Sequence, residues 1–117
     1  MFPVPEPPKG YTHKNFCERG GRFGPHNQHH AQGLDCLEQK EDRIYLTYFN
    51  AGLRIYDISD PNLPREIAYY IPSDPTKRLG LLPETLVTQS EDVLVDRRGY
   101  IYVTDKNHGL HILKCSI

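Results

Sequence analysis

Three histidines, His26, His29 and His30, fall within five residues in the run Gly24-Pro25-His26-Asn27-Gln28-His29-His30. Neutral imidazole binds zinc, copper, nickel or iron, so this run, Asn27 included, is the first place to expect a ligand or a divalent metal. Asp35 is near enough in sequence to act as a carboxylate ligand or to orient a histidine. Against a metal centre, the chain has neither HExxH nor a complete structural-zinc spacing. Adjacent His29 and His30 would also face opposite ways on an extended chain. A polar, turn-forming loop with hydrogen-bonded histidines is the plainer expectation. A second pair, His108 and His111, flanks Gly109 and forms a second candidate ligand site.

The remaining reactive residue types point to little chemistry. Cys17, Cys36 and Cys115 show no CxxC spacing and are expected as free thiols, with Cys36 and Cys115 buried in strands. Arg19-Gly20-Gly21-Arg22-Phe23-Gly24 is glycine-rich but lacks the strand-to-helix setting and spacing of a phosphate loop, so it is expected to be a loop. No nucleophile–base pair, cofactor fingerprint or catalytic carboxylate pair stands out. A net charge of −1 offers no electrostatic case for nucleic acid or an anionic membrane as partner. No apolar run reaches the eighteen or so residues of a spanning helix. The N-terminal Met1-Phe2-Pro3-Val4-Pro5 lacks the basic region and apolar core of a signal peptide, which leads us to expect the cytoplasm.

The elements that must position these residues come in two copies. Ile44-Tyr45-Leu46-Thr47, followed by Asn50, Gly52, Leu53 and Ile55, recurs fifty-seven residues later as Ile101-Tyr102-Val103-Thr104, followed by Asn107, Gly109, Leu110 and Ile112. Aligned from Asp35 and from Asp92, nine of twenty-four positions are identical. Such a period marks a stacked or radial architecture whose single unit cannot bury its apolar faces. His108 and His111 stand opposite Ala51 and Arg54, so the repeat does not itself require histidine there.

Residues 1–33 show no periodicity and are expected to be an extended arm followed by a His-rich loop. The pattern then predicts strands over 34–38, 43–49, 53–58 and 65–71, a first blade spanning 34–71. Asn50-Ala51-Gly52 is expected as a three-residue hairpin loop. Residues 72–90 make a long connection in which Leu79, Leu81, Leu82, Leu86 and Val87 are too apolar for a free loop. They are expected to pack on a neighbouring chain or to cap a channel. A second blade, 91–117, holds strands over 92–96, 100–105 and 110–115, with Arg97-Arg98-Gly99 as a turn. The strands are apolar or aromatic on both faces, as Ile44-Tyr45-Leu46 and Val93-Leu94-Val95 illustrate, which suggests sheets covered on both sides. Tyr45, Tyr56, Tyr69, Tyr70 and Tyr102 lie in these strands and are read as packing residues.

The run Tyr48-Phe49-Asn50-Ala51-Gly52-Leu53-Arg54-Ile55-Tyr56-Asp57-Ile58-Ser59-Asp60-Pro61 resembles the LVIVD-repeat family of β-propeller proteins. Repeats of that family carry glycine, two hydrophobic residues and Asp-Ile-Ser-Asp-Pro on the third blade strand and the turn after it. The resemblance is good over 34–71 and partial over 91–115, where Leu113-Lys114-Cys115 replaces Tyr56-Asp57-Ile58. It implies a fold and no particular activity.

The expected class is therefore all-β: two propeller-type, four-stranded antiparallel blades. The second blade would be completed by the N-terminal segment of the same or a neighbouring chain, because Phe2-Pro3-Val4-Pro5 is extended and proline is tolerated at sheet edges. Two blades cannot close a ring, so we expect the chain to partner itself in a cyclic homo-oligomer, a trimer in preference to a tetramer. The functional expectation is a binding or interaction module for an unidentified small ligand or protein. One alternative is a metal-dependent enzyme using His26, His29 and His30; another is an inactive fragment of a longer propeller.

Overall fold

The computed structural model describes residues 1–78 and 85–116. Seven strands, β1 (Gln28–His29), β2 (Arg43–Thr47), β3 (Leu53–Asp57), β4 (Arg65–Tyr70), β5 (Ser90–Val95), β6 (Tyr100–Asp105) and β7 (Gly109–Lys114), follow a four-residue helix, α1 (Phe16–Arg19). They form two antiparallel sheets, β1-β2-β3-β4 and β5-β6-β7. The fold is thus all-β, with two repeat units.

Cross-strand register decides which side chains share a face. In the first sheet Tyr45 pairs with Ile55, and Ile55 with Ala68. In the second, Val95 pairs with Ile101 and Ile101 with Leu113, one row from Val93 and Val103. Tyr45, Leu53 and Ile55 pack against Val93, Val95, Ile101 and Val103 as the principal core. At about 25 cal/mol per Å² of apolar surface, each such side chain contributes on the order of 2 kcal/mol. Stacking of the two sheets is therefore what holds the repeats together.

The inner edges are also tied by hydrogen bonds. Phe49 and Ser90 exchange backbone bonds at 3.1 and 3.0 Å, and Thr47 Oγ1 donates to the Glu91 carbonyl at 2.6 Å. The turn after β5 uses Asp96, whose carboxylate accepts from the Arg98 and Tyr100 amides at 2.9 and 3.1 Å, with Gly99 at φ +88°. Arg97-Arg98-Gly99 is therefore the turn its composition predicts.

Four local expectations change. Residues 34–38 do not form a strand: Asp35 and Cys36 make a turn, and Leu37 contributes a single bridge to Asp96. The histidine segment supplies the first strand instead, Gln28 pairing with Leu46 and His29 with Tyr45. Cys36 is consequently exposed and Cys115 is half-buried, whereas both were expected in strand interiors. The β2–β3 connection spans residues 48–52 and not 50–52 alone: Phe49, at φ +49°, leaves the β2 ladder to bridge Phe23 and Ser90, and backbone bonds from Ala51 to Tyr48 and from Gly52 to Phe49 (both 3.0 Å) close the turn.

The N-terminal arm does not complete the second sheet of its own chain. Phe2 packs edge-on to Tyr56 at 5.1 Å, and Tyr56 Oη donates to the Pro3 carbonyl at 3.2 Å. This sets the arm on the first sheet's outer face. Prolines at 3, 5, 7 and 8 lack the N–H groups a strand ladder needs. In the long connection, Leu79, Leu81 and Leu82 lie outside the described residues. Val87 is 4% exposed and turned into its own chain, where it lies against Gly21.

Candidate functional site

The first predicted cluster is split by its strand. His29 is 1% exposed and uses both ring nitrogens. Nε2 donates to the Glu38 carbonyl at 3.3 Å, and the Val95 amide donates to Nδ1 at 3.2 Å. This staples β1 to β5 and fixes a neutral ring. Burial pushes its pKa below the usual value, and an imidazolium could not accept the Val95 bond. His30, on the other side of the extended chain, is exposed. His26 donates from Nδ1 to the Glu91 carbonyl at 2.8 Å and lays its ring against Phe49. Asn27 works through its backbone, donating to Thr47 Oγ1 at 3.1 Å. His26, His29 and His30 are not gathered, and no group of three or more His, Cys, Asp or Glu able to hold a metal occurs among the described residues.

The second pair is brought together. His108 and His111 rings meet edge-to-face at 5.0 Å, and His111 also faces Tyr70 at 5.9 Å. His108 Nε2 donates to the Ser73 carbonyl at 2.6 Å, while His111 Nε2 is enclosed without a partner among the described residues. Burial, then the neighbouring His108, pushes the His111 pKa down.

This pair borders a polar loop end. Arg19, 8% exposed, donates from Nη1 to Tyr11 Oη at 3.0 Å and to the Asn50 carbonyl at 2.8 Å, and from Nη2 to the Asp74 carboxylate. Asp74 also accepts from the Thr88 amide at 3.1 Å. It separates two clefts, about 470 Å³ beside Tyr11, Arg19 and Tyr70 and about 350 Å³ beside Lys77, Asn107 and His108. These clefts offer cationic and hydrogen-bonding groups to a small polar ligand.

Two asparagines anchor the loop end, and both belong to the repeat. Asn50 Nδ2 donates to the Phe16 and Gly20 carbonyls at 2.7 and 2.8 Å, and Asn107 Nδ2 donates to the Val87 carbonyl at 2.8 Å. Each is fully buried and pins the segment before its repeat onto the hairpin turn. Their recurrence at identical positions was the sequence signal for this role. Buried Arg19 and its partner Asp74 left no such signal.

The larger feature is apolar. In the second sheet Leu94, Tyr102 and Ile112 lie side by side in register, with Thr104 and Leu110 in the next row. This is the face turned away from the first sheet. Leu94, Leu110 and Ile112 are 44%, 56% and 58% exposed. A polar rim surrounds them. Arg98 Nη2 donates to Tyr102 Oη at 3.2 Å, and Lys114 Nζ sits 4.7 Å from the centre of the Tyr100 ring. An exposed aliphatic and aromatic row rimmed by charge is the composition of an interaction surface.

The LVIVD-repeat family model matches residues 40–71 and 89–116, covering β2–β4 of the first sheet and β5–β7 of the second. The chain belongs to the LVIVD-repeat family. The matched segments begin just before β2 and β5 and end just after β4 and β7, so each LVIVD repeat carries three of the strands. No curated protein matches the chain, and no solved structure does. No helix among the described residues is long and apolar enough to cross a membrane.

Proposed function

We propose that this LVIVD-repeat chain is a propeller-type interaction module that works as a cyclic assembly of copies, three in preference to four. The supporting observation is the uncovered face of the second sheet. Tyr102, Leu110 and Ile112 are the repeat counterparts of Tyr45, Leu53 and Ile55, which in the first sheet are almost wholly buried against a neighbouring sheet. Of the side chains that form the core in one repeat, the counterparts Leu110 and Ile112 face solvent in the next and Tyr102 is half-buried. A partner sheet would bury them as the first repeat is buried. In such an assembly the loop ends that hold Arg19, Asp74, His108 and His111 lie side by side, available to a small polar ligand or a protein. Light scattering at micromolar concentration tests this. About three or four chain masses are expected, and a monomer at every concentration would overturn it.

A further inference from the structure

The contact between the two sheets is not symmetric, and its asymmetry specifies what the open face should meet. The first sheet contributes Tyr45, Leu53 and Ile55; the second contributes Val93, Val103, Ile101 and Leu113. Moved back fifty-seven residues, Ile101, Val103 and Leu113 become Ile44, Leu46 and Tyr56. Those residues lie on the opposite side of the first sheet, where Ile44 pairs with Tyr56 and Leu46 with Arg54. Each repeat thus has one face of the Tyr-Leu-Ile kind and one of the other kind, and the chain packs unlike face on unlike face. Contacts of this head-to-tail kind propagate, and they close into a ring when the rotation allows.

We infer that the outer face of the first sheet, centred on Ile44, Leu46 and Tyr56, docks the open second-sheet face of another copy, and that arm residues 2–5 occupy that place until the copies join. This rests on the reading of the chain as an assembling module, and it identifies the second half of the interface. The arm lies over the Ile44–Tyr56 row of this face, beside the Phe16 cluster that packs on Leu46 and Arg54. Its hold is slight: one hydrogen bond from Tyr56 to Pro3, a Phe2 ring still 40% exposed, and a buried Pro5. A gap of about 330 Å³ remains among Phe2, Pro3, Ile44, Leu46 and Tyr48, so the arm fills the face less completely than a sheet would. By contrast, residues 16–20 are fastened by Asn50 and by the Arg19–Asp74 pair. The arm can therefore leave without unfolding the segment behind it.

The existing contact sets the expected chemistry of the new one. Tyr102, Leu110 and Ile112 would cover Ile44, Leu46 and Tyr56 as Tyr45, Leu53 and Ile55 cover Ile101, Val103 and Leu113. Pairing two second sheets face to face has no counterpart within the chain. That arrangement is kept as an outcome of the test.

The experiment compares full-length variants in a dilution series followed by sedimentation velocity. Phe2→Asp removes the ring from Tyr56 at a partly exposed position, and should lower the concentration for half-assembly by about tenfold (a 1.4 kcal/mol change). A synthetic peptide of residues 1–8, added to the Phe2→Asp chain, should reverse that gain. Ile112→Lys and Ile44→Lys each alter one side of the interface, and both should raise the half-assembly concentration at least tenfold; circular dichroism checks that each remains folded. Equal assembly of the parent chain and Phe2→Asp, with no effect of the peptide, would overturn the inference and leave the assembling module standing. Loss of assembly with Ile112→Lys but not with Ile44→Lys would also overturn it, in favour of two second sheets meeting. If neither the parent chain nor Phe2→Asp assembles at any concentration, the proposed function itself fails and the inference falls with it.

Discussion

Alanine at Gly52 and alanine at Gly109 should have very different costs although the two glycines hold the same place in the repeat. Both have positive φ, +76° and +96°. A left-handed backbone costs a residue with a Cβ about 1–2 kcal/mol. At Gly109 that is the whole penalty, because an added Cβ meets no atom within 4 Å. At Gly52 the same Cβ would lie 2.1 Å from the Tyr70 carbonyl oxygen and 2.9 Å from Ile71 Cα. These are backbone atoms at the end of β4 and cannot rotate aside. Relief requires lifting β4 from β3, which adds about 1–3 kcal/mol. Gly52→Ala should therefore lose about 2–5 kcal/mol and Gly109→Ala about 1–2 kcal/mol. Urea unfolding at low protein concentration measures both, with the slope m checked for constancy. Against a total stability of about 5–15 kcal/mol, the first loss is severe and the second modest. The difference exists because β4 lies beside β3 in the first sheet and no described strand lies beside β7 in the second. Equal losses would refute that reasoning.

Further outcomes follow from the buried polar groups. His29 is held neutral by burial, so its contribution is fully present above its unfolded value near 6.5 and fades as pH falls through its depressed folded value. Stability should therefore decline on acidification below about pH 6.5, and His29→Gln should lower stability at pH 7.5 while flattening that decline; an unchanged pH profile would count against the staple. His111 titrates in the same direction, so the decline should shrink without vanishing. Hydrogen bonds from Arg98 and then Tyr102 hold the Asp96 carboxyl down to about 2, and bonds from Ser59 followed by Arg65 do the same for Asp57. Their stabilisation is present above the ordinary carboxylate range and lost as pH falls through about 2. Carbon NMR titration of the two carboxyls should give midpoints near that value, and a midpoint in the ordinary carboxylate range for either would contradict the turn geometry. Asn50→Ala strands one buried and one half-buried carbonyl and Asn107→Ala one buried carbonyl, so thermal melts should show losses of about 2–4 and about 1–2 kcal/mol respectively.

The strands of the repeats were legible because their pattern is strong. Ile44-Tyr45-Leu46 and Ile101-Tyr102-Val103 are apolar on both faces, and Asp96 with Gly99 announces its turn. What escaped was structure held by distant partners. Gln28 and His29 carry no strand pattern, and their ladder depends on Tyr45, Leu46 and a bond from Val95 in the other sheet. Residues 34–38 resembled a strand because Leu37 aligns with Leu94, yet only one bridge forms there. The arm was expected at a sheet edge. It lies on a sheet face, where prolines can pack without donating to a ladder. Of the candidate site, the meeting of His108 with His111 could be read from their flanking of Gly109. The loop-end pair Arg19–Asp74 could not, since its members are fifty-five residues apart. The open face was present in the repeat itself, in the correspondence of Tyr45 and Ile55 with Tyr102 and Ile112.

The central claim is that the exposed Leu94, Leu110 and Ile112, with half-buried Tyr102 among them, are core waiting for a second copy. Native mass spectrometry of the parent chain and of Ile112→Lys counts the copies directly. The account predicts a closed oligomer of three or four chains for the parent and single chains for the variant. Single chains in both samples at every concentration, or an oligomer that Ile112→Lys leaves intact, would contradict it.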